Sequence, residues 1–342
     1  MLMKRLPIET KLDFMKLRYI AFALSAVALA ASIVLIPIKG LNLGIDFAGG
    51  MLVEVTKPPG ADISDIRDLA NELELKVPNV SEAMGTGANP TEAFLIKAAL
   101  PDPVEPAESE EAATDAAAGT EVVSITQGDE AQRFIDALEE AYPPGAEGSE
   151  TYWEVLRKES VGPRVSGELF RAGITALVVS LLFMLTYIWF RFQVAFSIGA
   201  VMALVHDVVL TIGVFSFLQI DFDLTTIAAL LTIIGYSMND TVVVYDRVRE
   251  ELRKYKKMKL SDVINMALNK TLSRTLLTSG TTLLALVSIY VLGGEVLRGF
   301  SFALIWGVAV GTYSSIFVAS ALLLHTGLKR DADKVKPEEA FS

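Results

Sequence analysis

Six long apolar windows constrain this chain more than any other feature of its sequence. Each is close to the length of about 20 mostly apolar residues that a helix needs to cross a bilayer. The first window follows a basic start, as a signal peptide would, but five more come after it, so we interpret it as an uncleaved span. The sequence predicts an α-helical polytopic membrane protein with six transmembrane helices, over roughly 19–38, 170–190, 194–218, 224–246, 275–292 and 301–325.

The charges are segregated from the apolar windows, and they assign an orientation. With 52% hydrophobic and 21% charged residues, the chain is too apolar for an ordinary soluble domain. Loops rich in Lys and Arg stay in the cytoplasm, which predicts a cytoplasmic N-terminus (1–18), loop (247–273) and tail (326–342). Residues 39–168 then lie outside, with 9 Lys and Arg against 26 Asp and Glu, a net charge of −17. Residues 169–325 form a five-helix bundle.

The outside segment has the pattern of a small α+β domain. Its apolar periodicity switches between the strand and helix types. The predicted order is strand, helix, strand, strand, helix and strand, over residues 51–56, 62–73, 80–84, 93–99, 129–142 and 152–159. This is the order of a ferredoxin-like split βαβ unit. Between its halves, a stretch rich in Pro, Glu and Ala indicates a disordered insertion near 101–119. No catalytic arrangement emerges here, so we expect a binding or mechanical role.

Polar residues inside the fourth window carry the functional signal. Asn239, Asp240 and Thr241 interrupt an apolar run, and an ionisable group at that depth tends to mark an ion or proton path. Arg274 opens the fifth window at a comparable depth. When Arg274 is near, Asp240 ionises; when Arg274 moves away, burial favours the neutral acid and a proton binds. The pair is therefore predicted to be a two-state proton switch.

Other interpretations of these acids stay open. Asp240 could be a structural acid that hydrogen-bonds polar neighbours and so holds adjacent helices together. Asp207 lies near the middle of the third window beside His206. It could share in the proton route, or it could hydrogen-bond His206 locally and fix a packing angle.

A glycine motif lies where the outside segment meets the first span. It reads Gly44-Ile-Asp46-Phe-Ala-Gly49-Gly50. Its glycines permit backbone turns that other residues disfavour, and they let two chain segments approach closely. From the residues alone, a turn that joins a membrane helix to a strand is the simplest interpretation.

Four motifs in this order resemble the SecF family of bacterial protein export. They are Gly44–Gly50 after the first span, Val161–Glu168 before the second, His206-Asp207 in the third and Gly235–Arg247 in the fourth. The six-span pattern and the fifth-span run Ser273–Ser279 match as well. The resemblance implies half of a twelve-span unit of the resistance-nodulation-division type. A SecD-like subunit would complete this unit as a heterodimer, beside the SecYEG channel in the bacterial inner membrane.

The resemblance also implies roles for individual residues. Asp240 would carry the proton and Arg274 would be its switching partner, so that the proton-motive force drives late stages of polypeptide translocation through movements of the periplasmic domain. Gly44 to Gly50, including Asp46 and Gly49, would be the family signature at the base of that domain. The expected partners are protons and exported unfolded polypeptides, and no nucleic acid.

Two other functional classes remain as alternatives. The first is a proton-coupled small-molecule exporter of the resistance-nodulation-division type. It is disfavoured because six spans are half the number that such exporters usually have, although a homo-oligomer could complete the set. A passive membrane scaffold would make the buried acid structural. The sequence has no ATP-binding loop and no nucleophile–base pair, and zero Cys residues excludes disulfides and thiolate metal sites. We therefore expect no cofactor, no metal and no enzymatic activity.

Overall fold

The structure is a computed structural model that describes residues 10–84, 92–99, 119–145, 149 and 152–326. Of the predicted insertion near 101–119, residues 101–118 lie outside the described residues, and so does most of the predicted tail, 327–342. The elements in chain order are α1 (Phe14–Lys39), β1 (Asn42–Leu43), α2 (Ile45–Ala48), β2 (Gly50–Thr56), α3 (Ile63–Glu72), β3 (Lys76–Met84), β4 (Glu92–Ala99), α4 (Gly119–Ala141), β5 (Val155–Val161), α5 (Pro163–Arg191), α6 (Val194–Leu218), β6 (Asp221–Phe222), α7 (Leu224–Lys254), α8 (Leu260–Leu292), α9 (Gly294–Ser314), a π-helical turn (Ser315–Ala319) and α10 (Ser320–Leu322).

Six helices among the described residues are long and apolar enough to cross a membrane: α1, α5, α6, α7, α8 and the last helix from α9 through α10. The prediction of a polytopic helical membrane protein is confirmed. These helices form the bundle. Its core is apolar, and α6, α7 and α9 contribute fully or almost fully buried side chains such as Phe196, Ile233, Tyr245 and Ala303. Helices α1, α5 and α8 lie at the periphery of the bundle. They expose long apolar side chains, for example Phe183 and Leu284, as surfaces that face lipid or another protein do.

The segment 247–273 is not the loop that the sequence predicted. Helix α7 continues to Lys254 and α8 begins at Leu260, so both helices extend well beyond the apolar windows. The extension is stabilised by packing, because Ile264 and Leu268 of α8 are buried in the bundle core. It is also stabilised by charge, because the buried carboxylate of Glu251 accepts a hydrogen bond of 2.9 Å from Lys270.

The described residues of the segment 39–168 contain one four-stranded sheet, which together with α3 and α4 forms the sheet domain. The strand order is β3-β4-β2-β5, and all neighbouring strands are antiparallel. Both helices contribute to its apolar core, with Ile66 from α3 and Phe134 from α4 buried with Phe94 and Ile96 of β4. Helix α4 begins ten residues earlier than the predicted helix at 129–142.

A second, two-stranded sheet lies between the sheet domain and the bundle. β1 pairs in parallel with β6, with Asn42 opposite Asp221 and Leu43 opposite Phe222. β1 follows α1, and β6 lies in the connection between α6 and α7. The sheet therefore joins the chain that enters the sheet domain to the chain that enters α7.

Candidate functional site

Asp240 lies in the interior of the bundle. Helix α7 turns its carboxyl group toward α8, where the hydroxyl of Thr275 donates a hydrogen bond of 2.7 Å to Oδ1. The residue is 8% exposed. Among the described residues, the buried Oδ2 atom of Asp240 has no hydrogen-bond partner. A buried carboxylate in this state would carry a large desolvation cost, so the geometry suits an acid that takes up a proton.

Arg274 is not in contact with this carboxyl group. It precedes Thr275 on α8, and successive residues of a helix point about 100° apart; Thr275 therefore faces Asp240, whereas Arg274 is exposed. Within the described part of the chain, no ion pair joins Arg274 to Asp240. Asn239 is exposed too. The structure thus places the predicted partners on neighbouring helices but does not bring their charged atoms together.

Thr241 points into the bundle on the other side of α7. It is 2% exposed, and its hydroxyl lies 2.9 Å from that of Ser315 in the π-helical turn. The preceding residue, Ser314, also faces the interior. Ser314 is the last residue of α9, and Ser315 begins the π-helical turn. Such turns are frequent at functional sites.

Asp207 on α6 differs from Asp240 because both of its carboxyl oxygens have hydrogen-bond partners. It is 0% exposed, and its Oδ2 accepts hydrogen bonds of 2.6 Å from Ser237 and 2.7 Å from Ser314. Its Oδ1 lies 2.9 Å from Nδ1 of the adjacent His206. Buried polar groups arranged in this way rigidify a core. Asp207 therefore has the partners of a structural acid.

The network around Asp207 extends across the bundle. Nε2 of His206 lies 3.1 Å from the hydroxyl of Ser25 on α1. That hydroxyl lies 3.0 Å from the phenol of Tyr313 on α9, which donates to the carbonyl of Ala21. Four helices, α1, α6, α7 and α9, are thus joined by one set of buried polar contacts.

Sequence reasoning missed most of these partners. Ser237 had a partial signal, because it precedes Asp240 by three residues on α7 and such residues share a helix face. This spacing indicates that Ser237 faces inward, but not that it donates to Asp207. Ser314 and Ser315 had none: they are 107 residues from Asp207 and 74 from Thr241 along the chain, and only the packing of α9 brings them close.

The glycine motif forms a compact loop at the outer end of the bundle. Gly49 and Gly50 have φ values of 72° and 143°, which side-chain-bearing residues rarely adopt. Gly44 lies close to Asp223, and a Cβ atom there would be 3.0 Å from the Cβ of Asp223. Asp46 is not merely part of a turn, because its Oδ2 accepts a hydrogen bond of 3.0 Å from the backbone N–H of Leu224, the first residue of α7.

Within the described residues, no group of three or more His, Cys, Asp or Glu side chains could hold a metal ion. The polar groups described above are hydroxyls, the imidazole of His206 and the carboxyl groups of Asp207 and Asp240, which can hold and transfer protons.

Comparison with known proteins assigns the chain to a family. The family model described as protein export membrane protein SecD/SecF, C-terminal, matches residues 146–329, which include Asp207, Asp240 and Arg274. The SecD/SecF GG motif model matches residues 34–56, which include the glycine loop. The chain belongs to the SecD/SecF family. The resemblance to SecF is confirmed.

Individual relatives agree with this assignment. The protein translocase subunit SecF of Rhodobacter capsulatus is 41% identical over 340 residues, which cover 99% of this chain and 96% of that protein. The protein translocase subunit SecDF of Brucella abortus is 40% identical over 97% of this chain and 39% of that protein. The chain is therefore a Sec protein-translocation subunit of SecF length.

A solved structure shares the architecture. The crystal structure of SecDF, a translocon-associated membrane protein from Thermus thermophilus, superposes with a TM-score of 0.73 at 31% identity. The match covers 94% of this chain and 39% of that chain. This chain thus spans about two fifths of the SecDF protein that it resembles.

Proposed function

We propose that this SecF-family chain couples the proton-motive force to late stages of polypeptide export, with Asp240 as the proton carrier. The observation that carries the proposal is the half-satisfied, buried carboxyl group of Asp240. An ionised carboxylate without a cation is unfavourable in a lipid-embedded bundle, whereas a neutral acid is tolerated. A change in its surroundings can therefore drive uptake or release of a proton.

Arg274 supplies the second state of the switch. It is exposed on the helix that donates Thr275 to Asp240, so a rotation of α8 by part of a turn would bring the guanidinium toward the carboxyl group. In that state the carboxylate is ionised and paired; in the state described above it is protonated. Each proton that crosses the membrane contributes about 2.3 kcal/mol per 100 mV of potential, which is available for movement of the sheet domain.

A SecD-like subunit is the proposed partner, and it would cover the face that carries Arg274. Arg274 and Asn239 are exposed near the middle of helices α8 and α7, and polar residues within membrane-spanning helices normally face protein or a water-filled cavity. The Brucella relative is named SecDF, which supports a partner that is joined to this half in some organisms. SecYEG and the exported polypeptide complete the proposed assembly.

The sheet domain is proposed to be a ferredoxin-like periplasmic domain. The order β3-β4-β2-β5 with two helices supports the ferredoxin-like topology. The basic residues at the opposite end of the bundle, such as Arg253 and Lys254, support a cytoplasmic location for that end and hence a periplasmic location for the sheet domain in the bacterial inner membrane.

The test is export into inverted membrane vesicles with and without a proton-motive force. Asp240→Asn keeps the size of the side chain but cannot ionise, and we expect it to abolish the part of export that depends on the proton-motive force. Asp246→Asn is the matched control, because Asp246 lies on the same helix but is exposed and paired with Arg191. If Asp240→Asn retains the full dependence at normal protein levels, the carrier role is wrong.

A further inference from the structure

The outer end of α7 is held by a residue from a distant part of the chain. The first backbone N–H groups of a helix have no partner within the helix. In α7, Oδ1 of Asp223 accepts a hydrogen bond of 2.8 Å from Thr226 N, and Oδ2 of Asp46 accepts one of 3.0 Å from Leu224 N. Negative charge at a helix N-terminus is stabilising, so both carboxylates stabilise the N-terminus of α7.

Asp46 is linked to the sheet domain by a short and constrained connection. Only Phe47, Ala48 and Gly49 separate it from the start of β2 at Gly50. β2 is a central strand, paired with β4 on one side and β5 on the other. A displacement of Asp46 therefore acts on the middle of the sheet.

Further contacts reinforce this connection. We define the outer joint as residues 42–46 together with 221–224. Within it, Gly44 N donates to the carbonyl of Phe222 at 2.9 Å, and the side-chain amide of Asn42 donates to Asp221 at 2.7 Å. From the sheet itself, Lys97 of β4 forms an ion pair with Asp221.

Outside the outer joint, the sheet domain and the bundle are not tightly packed against each other, which leaves room for the sheet domain to move. A cleft of about 370 Å³ separates the sheet from the outer ends of the bundle helices, and Leu52, Leu95 and Phe302 are among the residues that line it. The second covalent attachment is α5, which begins directly after β5 and Gly162. The sheet domain can thus tilt over the bundle about these two attachments.

Helix α7 connects the outer joint to the proposed proton carrier. It runs without a break from Leu224 to Lys254, and Asp240 lies sixteen residues from its start, about 24 Å along the axis. An unbroken helix transmits a shift or rotation along its length.

We propose that Asp46 is a positioning residue that transmits movement of α7 to the sheet domain, and that the glycine loop exists to place this carboxylate on the helix. This inference rests on the proposed function, because it takes the protonation of Asp240 as the source of the movement. Asp46 itself carries no proton in this scheme. Asp46 attaches the sheet domain to α7, the helix that moves when Asp240 is protonated.

The test measures two distances in one protein. The chain contains no Cys, so pairs of spin labels can be introduced at chosen sites and measured in native membrane vesicles that retain its partners. Labels at Lys16 and Arg253 report the position of α7 in the bundle. Labels at Glu72 and Leu292 report the position of the sheet domain over the bundle. All four residues are exposed.

Asp240→Asn, which imitates the protonated acid, is expected to shift both distances. In the Asp46→Ala background it should shift the bundle distance alone. Asp46→Asn should restore the sheet-domain shift, because an amide oxygen also accepts the hydrogen bond from Leu224. Asp62→Ala is the matched control: it removes the cap of α3 in the sheet domain without contact with α7, and both shifts should remain.

Two outcomes would overturn the inference, and they are distinguishable. If the sheet-domain shift persists in the Asp46→Ala background, α5 carries the movement and Asp46 is only a cap. If Asp240→Asn shifts neither distance in the otherwise unchanged protein, the proposed proton switch fails and the coupling fails with it.

Discussion

At the scale of single residues, the buried acids Asp207 and Asp240 differ in how many hydrogen bonds their carboxyl groups receive. Asp207 receives two hydroxyl hydrogen bonds and a contact from His206, whereas Asp240 receives one from Thr275. An unsatisfied buried polar group costs about 1–3 kcal/mol, and more when it is charged, so the arrangement around Asp240, whose Oδ2 has no hydrogen-bond partner among the described residues, is the less favourable of the two for a charge. The contrast makes Asp240 the better candidate for reversible protonation and Asp207 the better candidate for a fixed structural acid.

Gly50 gives a residue-scale prediction about the glycine loop. Its φ of 143° is a conformation that other residues rarely adopt, and a Cβ atom there would lie 2.6 Å from the carbonyl oxygen of Ala98. We expect Gly50→Ala to destabilise the protein by at least about 1–3 kcal/mol, measured by thermal unfolding of the purified protein.

Gly167→Ala provides the matched control for this change. Gly167 lies inside α5, and its Cβ would meet open space. Alanine is a better helix former than glycine, so this variant should be stabilised by about 0.5–1 kcal/mol. Equal stability of the two variants would contradict the explanation from backbone conformation.

At the scale of elements, α8 does more than cross the membrane. Its first half carries Asn265 and Asn269 one turn apart, and both hold the segment that leads into α1. Asn265 donates to Asp13 at 2.6 Å and accepts from Met15 N at 3.0 Å. Asn269 accepts from Thr10 and Leu12 N. The two amides fix where α1 begins.

The Asn265 contact predicts a pH-dependent contribution to stability. The hydrogen bond from Asn265 holds the pKa of Asp13 below its ordinary value of 3.8. A lowered pKa in the folded state adds stability above the pKa of the unfolded carboxyl, and this stability is lost as the pH falls through the folded value. We expect the loss of melting temperature in Asn265→Ala to be largest near neutral pH and to shrink below about pH 4.

Asn269→Ala is the control for the pH dependence. Asn269 bonds a hydroxyl and backbone groups only, so its effect on the melting temperature should not change over the same range. A pH-independent loss in Asn265→Ala would show that Asp13 is not the group responsible.

At the scale of the whole molecule, two bodies with separate apolar cores are connected by the outer joint and by α5. The bundle exposes apolar surface on several helices, but only some of it is interrupted by polar residues. The face of α8 with Arg274 and Thr278 is exposed and polar, whereas α5 exposes Leu182 and Phe183. The first face is suited to a protein partner and the second to lipid.

This difference predicts which surface would bind the proposed SecD-like partner. Thr278→Trp places a large side chain one turn from Arg274 and should reduce the recovery of the partner when the tagged protein is purified in mild detergent. Leu182→Trp, on the α5 face, should leave the recovery unchanged. Equal recovery from both variants would argue against α8 as the interface, and recovery of no SecD-like protein from the unchanged chain would argue against the partnership itself.

Much of this protein could be predicted from its sequence, because the signals concerned are local. Apolar windows of membrane length indicated the number of membrane helices, alternation indicated β2, and the order of the motifs indicated the family. Asp240 stood out because an acid in an apolar window is costly wherever the helix packs. The ends of α7 and α8 could not be found in this way, since their polar extensions are stabilised by contacts such as Glu251 with Lys270.

The tertiary structure alone decided how the functional groups are partnered. Whether Arg274 or Thr275 faces Asp240 depends on the rotation of α8 about its axis, and this rotation is set by the packing of the whole bundle. Asp46 caps a helix that begins 178 residues later, and Ser314 reaches Asp207 over a separation of 107. Such contacts join distant segments, and no local pattern encodes them, because their geometry exists only once the helices have packed.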